Sequence, residues 1–305
     1  MPTPHTSTNF GDLLDPRFQK IFFDQYAELP SMLGEVYTML GTNNRDNMKF
    51  SQVGTLPNWS EFSGTVTYNS SAQGFDSTLT PVEYASGIQV ERKLFDDDQY
   101  NIMDQRPKSL ATSYQRTREG HGASLWNNAF GLNTTWYSNT EGVALCSNSH
   151  ITNSGASTAT GFDNLGTSAI SATALASARI NMRGFRGDQA ERIDVQPDEI
   201  WIPPDLFEEA FEIINSLGKV DTANNNRNVH QGVYTVKEWN YMSDTNNWFV
   251  GDSTARKQVV FWTDRTPVEF AFAEDLDTLV AKWRGYARYA LAHTDWRFTF
   301  GHLVS

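Results

Sequence analysis

The side chains that could carry chemistry in this 305-residue chain are scattered. The single cysteine, Cys146, lies four residues before His150, but no second cysteine–histidine pair has the spacing of a zinc site. A cysteine nucleophile needs a base and a third group that orients the base. The six histidines lie in unrelated local sequences, so none is marked as a partner of Cys146. A small buried apolar residue is the favoured interpretation of this cysteine.

The acidic runs do not match known sites either. Asp96-Asp97-Asp98 lacks the spacing and the glycine of a calcium loop, and it suits the N-terminus of a helix. Glu208-Glu209 and Glu274-Asp275 are typical of solvated faces or helix ends, not of a glycosidase pair. The segment Gly184–Gly187 is too short for a phosphate cradle. The sequence therefore predicts no catalytic residue, no metal ligand and no cofactor, and thus a protein that is not an enzyme.

Composition and charge narrow the class of protein. The net charge of −12 argues against a nucleic-acid-binding protein, which needs Lys and Arg to displace counterions from phosphate. A single cysteine cannot form an intrachain disulfide, which fits a reducing cytoplasm. The N-terminus lacks the pattern of a signal peptide, and no apolar run approaches the ~20 residues that span a bilayer. The nine tryptophans favour extensive packed or intersubunit surface.

The N-terminal part predicts an arm followed by a hairpin. Phe18, Phe22 and Tyr26 recur at helical spacing, which predicts one short helix in an extended arm. From Met48 to Lys93 the sequence is rich in Ser, Thr, Gly and Asn. Alternating runs there predict two long strands, one of them including Gly64–Tyr68, with a turn at 70–74. An isolated two-stranded ribbon is marginal in water, so this hairpin must lie on another surface.

The rest of the chain predicts a mixed α+β fold. A long helix with a weak apolar face includes Leu110, Tyr114 and Leu125, and Pro107 implies a kink or a restart in it. Residues 172–182 predict a second helix, and Pro203-Pro204 opens a third that ends near Gly218. Predicted strands and one ambiguous aromatic stretch complete the pattern: 198–202, 233–239, 248–251, 258–262 and 277–300.

In this order, four stretches resemble the major capsid proteins of tailed phages with the Hong Kong 97-type fold, most closely the Mu-like major head subunits. The four stretches are Ile88–Tyr100, Glu141–His150, Ile200–Leu206, and 284–287 together with 294–297. The resemblance covers most of the chain from about Met48. It implies five segments: an N-terminal arm (1–47), an extended hairpin or E-loop (48–94), a peripheral domain with a spine helix (95–190), an axial domain (191–275) and a return to the peripheral domain (276–305).

The function that this resemblance implies is self-assembly into an icosahedral shell around phage DNA. Hexamers and pentamers of the chain would enclose double-stranded DNA without sequence-specific binding and without a membrane. A portal and a separate scaffold or decoration protein are the expected partners. The expected location is the virion, after assembly in the host cytoplasm. Seven aromatic residues are expected to contact neighbouring copies: Phe18, Phe22, Tyr26, Trp59, Phe62, Tyr68 and Phe75.

Two departures from the family and three alternatives accompany this prediction. No lysine lies between Lys49 and Lys93, so the hairpin lacks the group that the founding member uses to join subunits covalently, and we expect a non-crosslinked shell. The arm starts almost at once, which predicts a separately encoded scaffold.

The alternatives are another virion protein such as a tail-tube subunit, an encapsulin-like shell protein, and a carbohydrate-active enzyme or lectin suggested by the Trp and Asn content. A tail-tube subunit would be smaller and mostly β, and the enzyme would need paired acids beside exposed aromatic residues.

Overall fold

The computed structural model describes residues 11–41, 45–71, 73–91, 102–218, 226–275 and 280–305. The helices are α1 (Gly11–Glu28), α2 (Leu33–Val36), α3 (Gln105–Asn127), α4 (Ala172–Arg183), α5 (Phe207–Asn215) and α6 (Ser253–Val259). The strands are β1 (Thr38–Leu40), β2 (Met48–Val53), β3 (Gln73–Leu79), β4 (Val82–Glu91), β5 (Tyr137–Asn139), β6 (Leu165–Gly166), β7 (Glu199–Ile202), β8 (Thr235–Glu238), β9 (Trp248–Gly251), β10 (Val260–Asp275), β11 (Val280–His293) and β12 (Thr299–His302). Across these ranges, no helix is long and apolar enough to cross a membrane.

One sheet is four-stranded, in the order β1-β10-β11-β4. Its long β10 and β11 strands are antiparallel and pair from Val260 with His293 to Asp275 with Val280. The sequence assigned 260–275 to the axial domain and 280–293 to the returning segment. The two segments share one sheet because a short connection lets antiparallel neighbours pair directly.

Helices α1 and α3 cover one face of this sheet. The rings of Phe18 and Trp283 lie 4.8 Å apart, and those of Phe22 and Phe270 lie 5.0 Å apart. These side chains form a core beneath the two helices. Helix α3 begins at Gln105, so Pro107 lies in its first turn, where a missing N–H breaks no helical hydrogen bond. The described helix thus begins two residues before the proline at which a kink or a restart was predicted, whereas the acidic run 96–98 lies outside the described residues.

The second large sheet is five-stranded, in the order β6-β12-β9-β7-β8. Strand β7 is fully buried, and its Trp201 stacks at 5.5 Å on Trp126, which joins this sheet to helix α3. The predicted helix at 172–182 is confirmed as α4. Its N-terminus is capped by Ser171, whose hydroxyl accepts from the N–H of Ala174 at 3.1 Å.

The hairpin differs from its prediction. Strands β2 and β3 pair antiparallel, and β3 also pairs with β5, giving a small three-stranded sheet. Residues 54–71 between β2 and β3, here called the apolar loop, contain neither helix nor strand. The predicted strand at Gly64–Tyr68 is therefore wrong for the single chain, and Gln73 and Gly74 of the predicted turn at 70–74 lie in β3. Alternating residues form a strand only where another strand supplies backbone hydrogen bonds.

Candidate assembly surfaces

The apolar loop carries the largest exposed side chains of the molecule. Trp59 is 98% exposed, Tyr68 is 91% exposed and Phe62 is 70% exposed. Leu56 and Val66 add further exposed apolar surface, and Glu61 is the only charged residue between 54 and 71. Such a concentration of exposed apolar side chains marks an interaction surface, because water solvates it poorly.

The base of the loop is held firmly while its tip is free of regular structure. The side-chain amide of Gln52 donates to the carbonyl of Thr294, and the N–H of Asp188 donates to the hydroxyl of Thr55 at 3.0 Å. Lys49 and Asp76 pair at 2.7 Å across β2 and β3. Hydrogen bonding from Lys49 lowers the pKa of Asp76 to about 2. The loop therefore leaves the body of the protein in a fixed direction.

The seven predicted contact residues differ in their exposure to solvent. Trp59, Phe62 and Tyr68 are exposed together on the apolar loop. Phe18 and Phe22 are 0% exposed and Phe75 is 8% exposed, so these three belong to the chain's own packing. The remaining residue, Tyr26, is partly buried against Tyr114 at 5.4 Å, and its hydroxyl accepts from Arg118. The prediction that the arm presents its aromatic side chains to another subunit is therefore corrected for Phe18 and Phe22.

A second exposed apolar surface was not singled out from the sequence. On α5, Phe207 and Phe211 are 40% and 52% exposed, with their rings 5.8 Å apart. Leu217 and Val229 lie at 77% and 76% exposure near the end of this helix. Phe207 and Phe211 lie four residues apart and are interspersed with Glu208, Glu209 and Glu212, so the helix has no continuous polar face. This pattern is the sequence signal that could have indicated the surface.

A buried ion pair fixes the N-terminal segment to the five-stranded sheet. Arg256 on α6 and Glu199 on β7 are each 3% exposed, with two hydrogen bonds of 2.5 and 2.9 Å between them. The guanidinium also donates to the carbonyls of Glu35 and Val36, and it lies 5.4 Å from the centre of the Trp201 ring. Removing one partner of such a pair leaves the other as a buried charge without a counterion.

A buried carboxylate joins three distant parts of the chain. Glu119 on α3 accepts from the hydroxyl of Ser31 at 2.6 Å and from the N–H of Met32 at 3.3 Å. It also accepts from the indole N–H of Trp239 and the amide of Gln115, each at 3.2 Å. Four donors satisfy a 3% exposed side chain, so the carboxylate is a structural junction between the segment after α1, helix α3 and the segment after β8.

The residues first considered for chemistry lie in structural settings. Cys146 is 2% exposed, and burial raises the pKa of its thiol well above the usual value, which disfavours the reactive thiolate. His150 stacks on Trp296 at 4.2 Å, and its Nδ1 lies 2.8 Å from a carboxylate oxygen of Glu141. Over the described ranges no cluster of His, Cys, Asp and Glu could hold a metal ion.

Two other buried histidines have ring nitrogens without a hydrogen-bond partner among the described residues. Both ring nitrogens of His302 and the Nδ1 of His293 are buried without a partner. The imidazole of His302 stacks on Trp248 at 4.1 Å. The pKa of both histidines is lowered from the usual 6.5 to about 4, mainly by burial, with a smaller contribution from His150 to the lowering of His293. Both side chains are therefore held neutral in the folded protein.

Acid is expected to destabilise this fold through these two histidines. Well above pH 6.5 they are neutral in both the folded and the unfolded chain and contribute almost nothing to pH dependence. As the pH falls from 6.5 towards 4, the unfolded chain takes up protons that the folded chain excludes, so stability is lost. Each histidine contributes a loss on the order of 3 kcal/mol.

Urea unfolding at pH 7.5 and at pH 4.5 measures this loss. His302→Phe keeps the ring stacked on Trp248 but cannot be protonated, so its unfolding free energy should fall less between the two pH values than that of the parent. An unchanged pH dependence in His302→Phe would contradict the role assigned to this residue.

Comparisons with known proteins point in one direction. A family model described as Phage capsid protein matches residues 75–300, well over half of the chain. The mature capsid of bacteriophage PhiM1 has a similar fold, with a TM-score of 0.56 at 7% identity, covering 91% of this chain and 88% of that chain. No protein with a curated functional description matches the sequence.

Two further solved structures have the same fold. A chain from Microbacterium phage Oxtober96 gives a TM-score of 0.53 at 12% identity, with 91% of this chain and 92% of that chain covered. The procapsid of bacteriophage JBD30 gives 0.52 at 15% identity, with 97% and 75% covered. At such low identities the likeness establishes the fold, and it does so over nearly the whole length of this chain.

Proposed function

This chain belongs to the phage capsid protein family, and from that premise we propose that its apolar loop makes the contact that links each copy to the next. The protein is a major capsid protein, and copies of it build the icosahedral shell of a phage head. Its α+β fold is the Hong Kong 97-like capsid fold, as the sequence predicted. Its role is structural.

The exposure of Trp59, Phe62 and Tyr68 carries the proposal. Three large aromatic side chains on a charge-poor loop are unfavourable in water and favourable when a neighbouring subunit covers them. Anchoring at Gln52 and Thr55 aims the loop before association, so less conformational freedom is lost on binding.

The second surface suits a different contact in the same shell. One subunit type that forms closed rings needs heterologous contacts, in which two different patches of the chain meet. We assign the patch of Phe207, Phe211 and Leu217 to contacts within a ring of five or six copies, and the apolar loop to its neighbour's outer surface. The division into arm, E-loop, peripheral and axial domains stays a prediction on which this assignment relies.

Electron microscopy of the purified protein tests the proposed function directly. Closed icosahedral shells, with density for the apolar loop on an adjacent copy, are the expected result. Particles in which residues 54–71 point into solvent would contradict the loop assignment. Failure of the protein to form any closed particle under conditions that keep it folded, both alone and with the proposed scaffold present, would contradict the proposed function.

The shell is expected to be held by non-covalent contacts alone. Between Lys49 and Lys93 the chain has no lysine, so no side-chain amine from that stretch is present to form an amide bond to a neighbour. Denaturing electrophoresis of intact heads should therefore give one band at the monomer position after boiling. A ladder of high-mass species that persists under reducing conditions would contradict this prediction.

The partners follow from the same proposal. We place double-stranded DNA inside the shell without sequence-specific contacts, since a net charge of −12 does not favour a tight grip on phosphate. A portal, a separate scaffold or decoration protein, and assembly in the host cytoplasm complete the proposal. Closeness to Mu-like head subunits stays a prediction.

A further inference from the structure

One edge of the four-stranded sheet is open. Strand β4 pairs with β11 along its whole length, from Val82 with Tyr289 to Glu91 with Val280. Over the described ranges no other strand lies on its second side. Ala85, Ser86 and Gly87 are exposed in succession, although consecutive residues of a strand point to opposite faces. Solvent therefore reaches both faces of the sheet at this edge, where unpaired N–H and C=O groups can bind another strand.

An unfilled hollow lies beside this edge. It has a volume of about 130 Å³ and opens between helix α3 and the sheet next to Tyr84, Ala85 and Ser86. Its walls are mostly apolar and include Phe22, Leu110, Tyr114 and Val268. Protein interiors close-pack, and a hollow of this size at an exposed edge is suited to a side chain from outside.

The apolar loop contains a segment that matches this edge. Gly64 has a φ of +104°, which turns the chain, and the residues that follow alternate as Thr65, Val66, Thr67 and Tyr68. These residue types favour strands, yet within one chain the segment pairs with nothing regular. In an extended conformation Val66 and Tyr68 share one side. Tyr68 is 91% exposed, so its ring is available to a partner.

We propose that Thr65–Tyr68 of one copy adds as a strand to the open edge of β4 in a second copy, and that Tyr68 enters the hollow between α3 and the sheet. This inference rests on the proposed function, in which the loop contacts a neighbour, and it names the surface that receives the loop. Backbone hydrogen bonds supply affinity that depends little on sequence, and the aromatic side chain in a pocket sets the register.

Engineered disulfides test the strand addition in assembled shells. Thr67→Cys is combined with Ala85→Cys in one variant and with Ser86→Cys in another. Adjacent positions of a strand face opposite sides of the sheet, so one of the two β4 positions lies on the same side as position 67. The matched control combines Thr67→Cys with Ser177→Cys, on the exposed face of α4. Cys146 is 2% exposed and contributes little background.

After mild oxidation, one of the two β4 pairs should shift most of the protein from the monomer band to covalent multimers that reduction reverses. The control pair should stay monomeric, because a disulfide needs its two Cα atoms within about 7 Å. Shells in which both β4 pairs cross-link no better than the control would overturn the strand addition. The loop assignment would still stand in that case, because loop density on any neighbour in the micrographs decides it independently.

Filling the hollow gives a second measurement. Ser113, which lines the hollow, is replaced by leucine, with Ser177→Leu on α4 as the matched control. Ser113→Leu should keep the thermal midpoint of the monomer and raise the protein concentration at which shells first form, whereas the control should change neither. Equal assembly by the two variants would show that Tyr68 does not occupy the hollow.

Discussion

Replacing Trp59, Phe62 and Tyr68 together with serine is expected to abolish closed shells while leaving the monomer as stable as the parent. The three rings lie almost entirely in solvent, so their removal costs the isolated chain little. At an interface, a buried aromatic anchor is worth about 2 kcal/mol or more. Loss of three anchors from every copy weakens each contact by a factor of at least ~10³.

Sedimentation and electron microscopy measure assembly in this variant, and thermal unfolding measures its fold. The informative counterpart is Phe22→Ala, because Phe22 is fully buried against Phe270. That variant should lose about 3–5 kcal/mol of monomer stability. Closed shells of normal size from the triple variant would show that the loop is dispensable.

The second large effect is expected from Arg256→Ala. This change leaves Glu199 as a buried carboxylate without its cation and removes the donor to the carbonyls of Glu35 and Val36. Breaking a buried pair in this way typically costs about 3–5 kcal/mol. Since Arg256 ties the segment after α1 to the five-stranded sheet, both parts of the fold should loosen together.

Urea unfolding of the monomer measures the cost, with Lys282→Ala as the control. Lys282 pairs with Asp275 at 3.2 Å, but its side chain is 51% exposed, so its loss should change stability by less than about 1 kcal/mol. Equal effects from the two variants would mean that the Arg256 pair is no stronger than a surface pair.

The sequence predicted helices and strands well where neighbouring residues alone determine them. Helix α4 has an apolar face and a serine cap, and β7 is a short apolar run before two prolines, so both were found within a residue or two. Helix α6 was missed, although Asp252 is a good N-cap, with its carboxylate accepting from the N–H groups of Thr254 and Ala255. The β-rich sequence that follows α6 masked this short helix.

Predictions that depended on distant partners were less reliable. Phe18 and Phe22 were predicted to contact neighbouring copies. Their partners within the chain, Trp283 and Phe270, are more than two hundred residues away in the sequence, so local patterns could not indicate these contacts. Gly64–Tyr68 was predicted to be a strand because polar and apolar side chains alternate there. Strand formation also needs a pairing partner, which the local sequence does not reveal. Nothing in the local sequence marks Glu119 or Glu199 as a buried ion, because most of the donors that satisfy them lie far away in the chain.

The position of β12 makes the folding of one sheet depend on distant parts of the chain. Residues 299–302 lie inside the five-stranded sheet, between β6 and β9, so that sheet stays divided until β12 has been synthesised. Strand β1 likewise waits for β10, which is synthesised more than two hundred residues later. Such non-local pairing folds slowly. We therefore expect a nascent chain to be unable to join a shell before β12 has been synthesised, and a chain that terminates before β12 to be excluded from the particle.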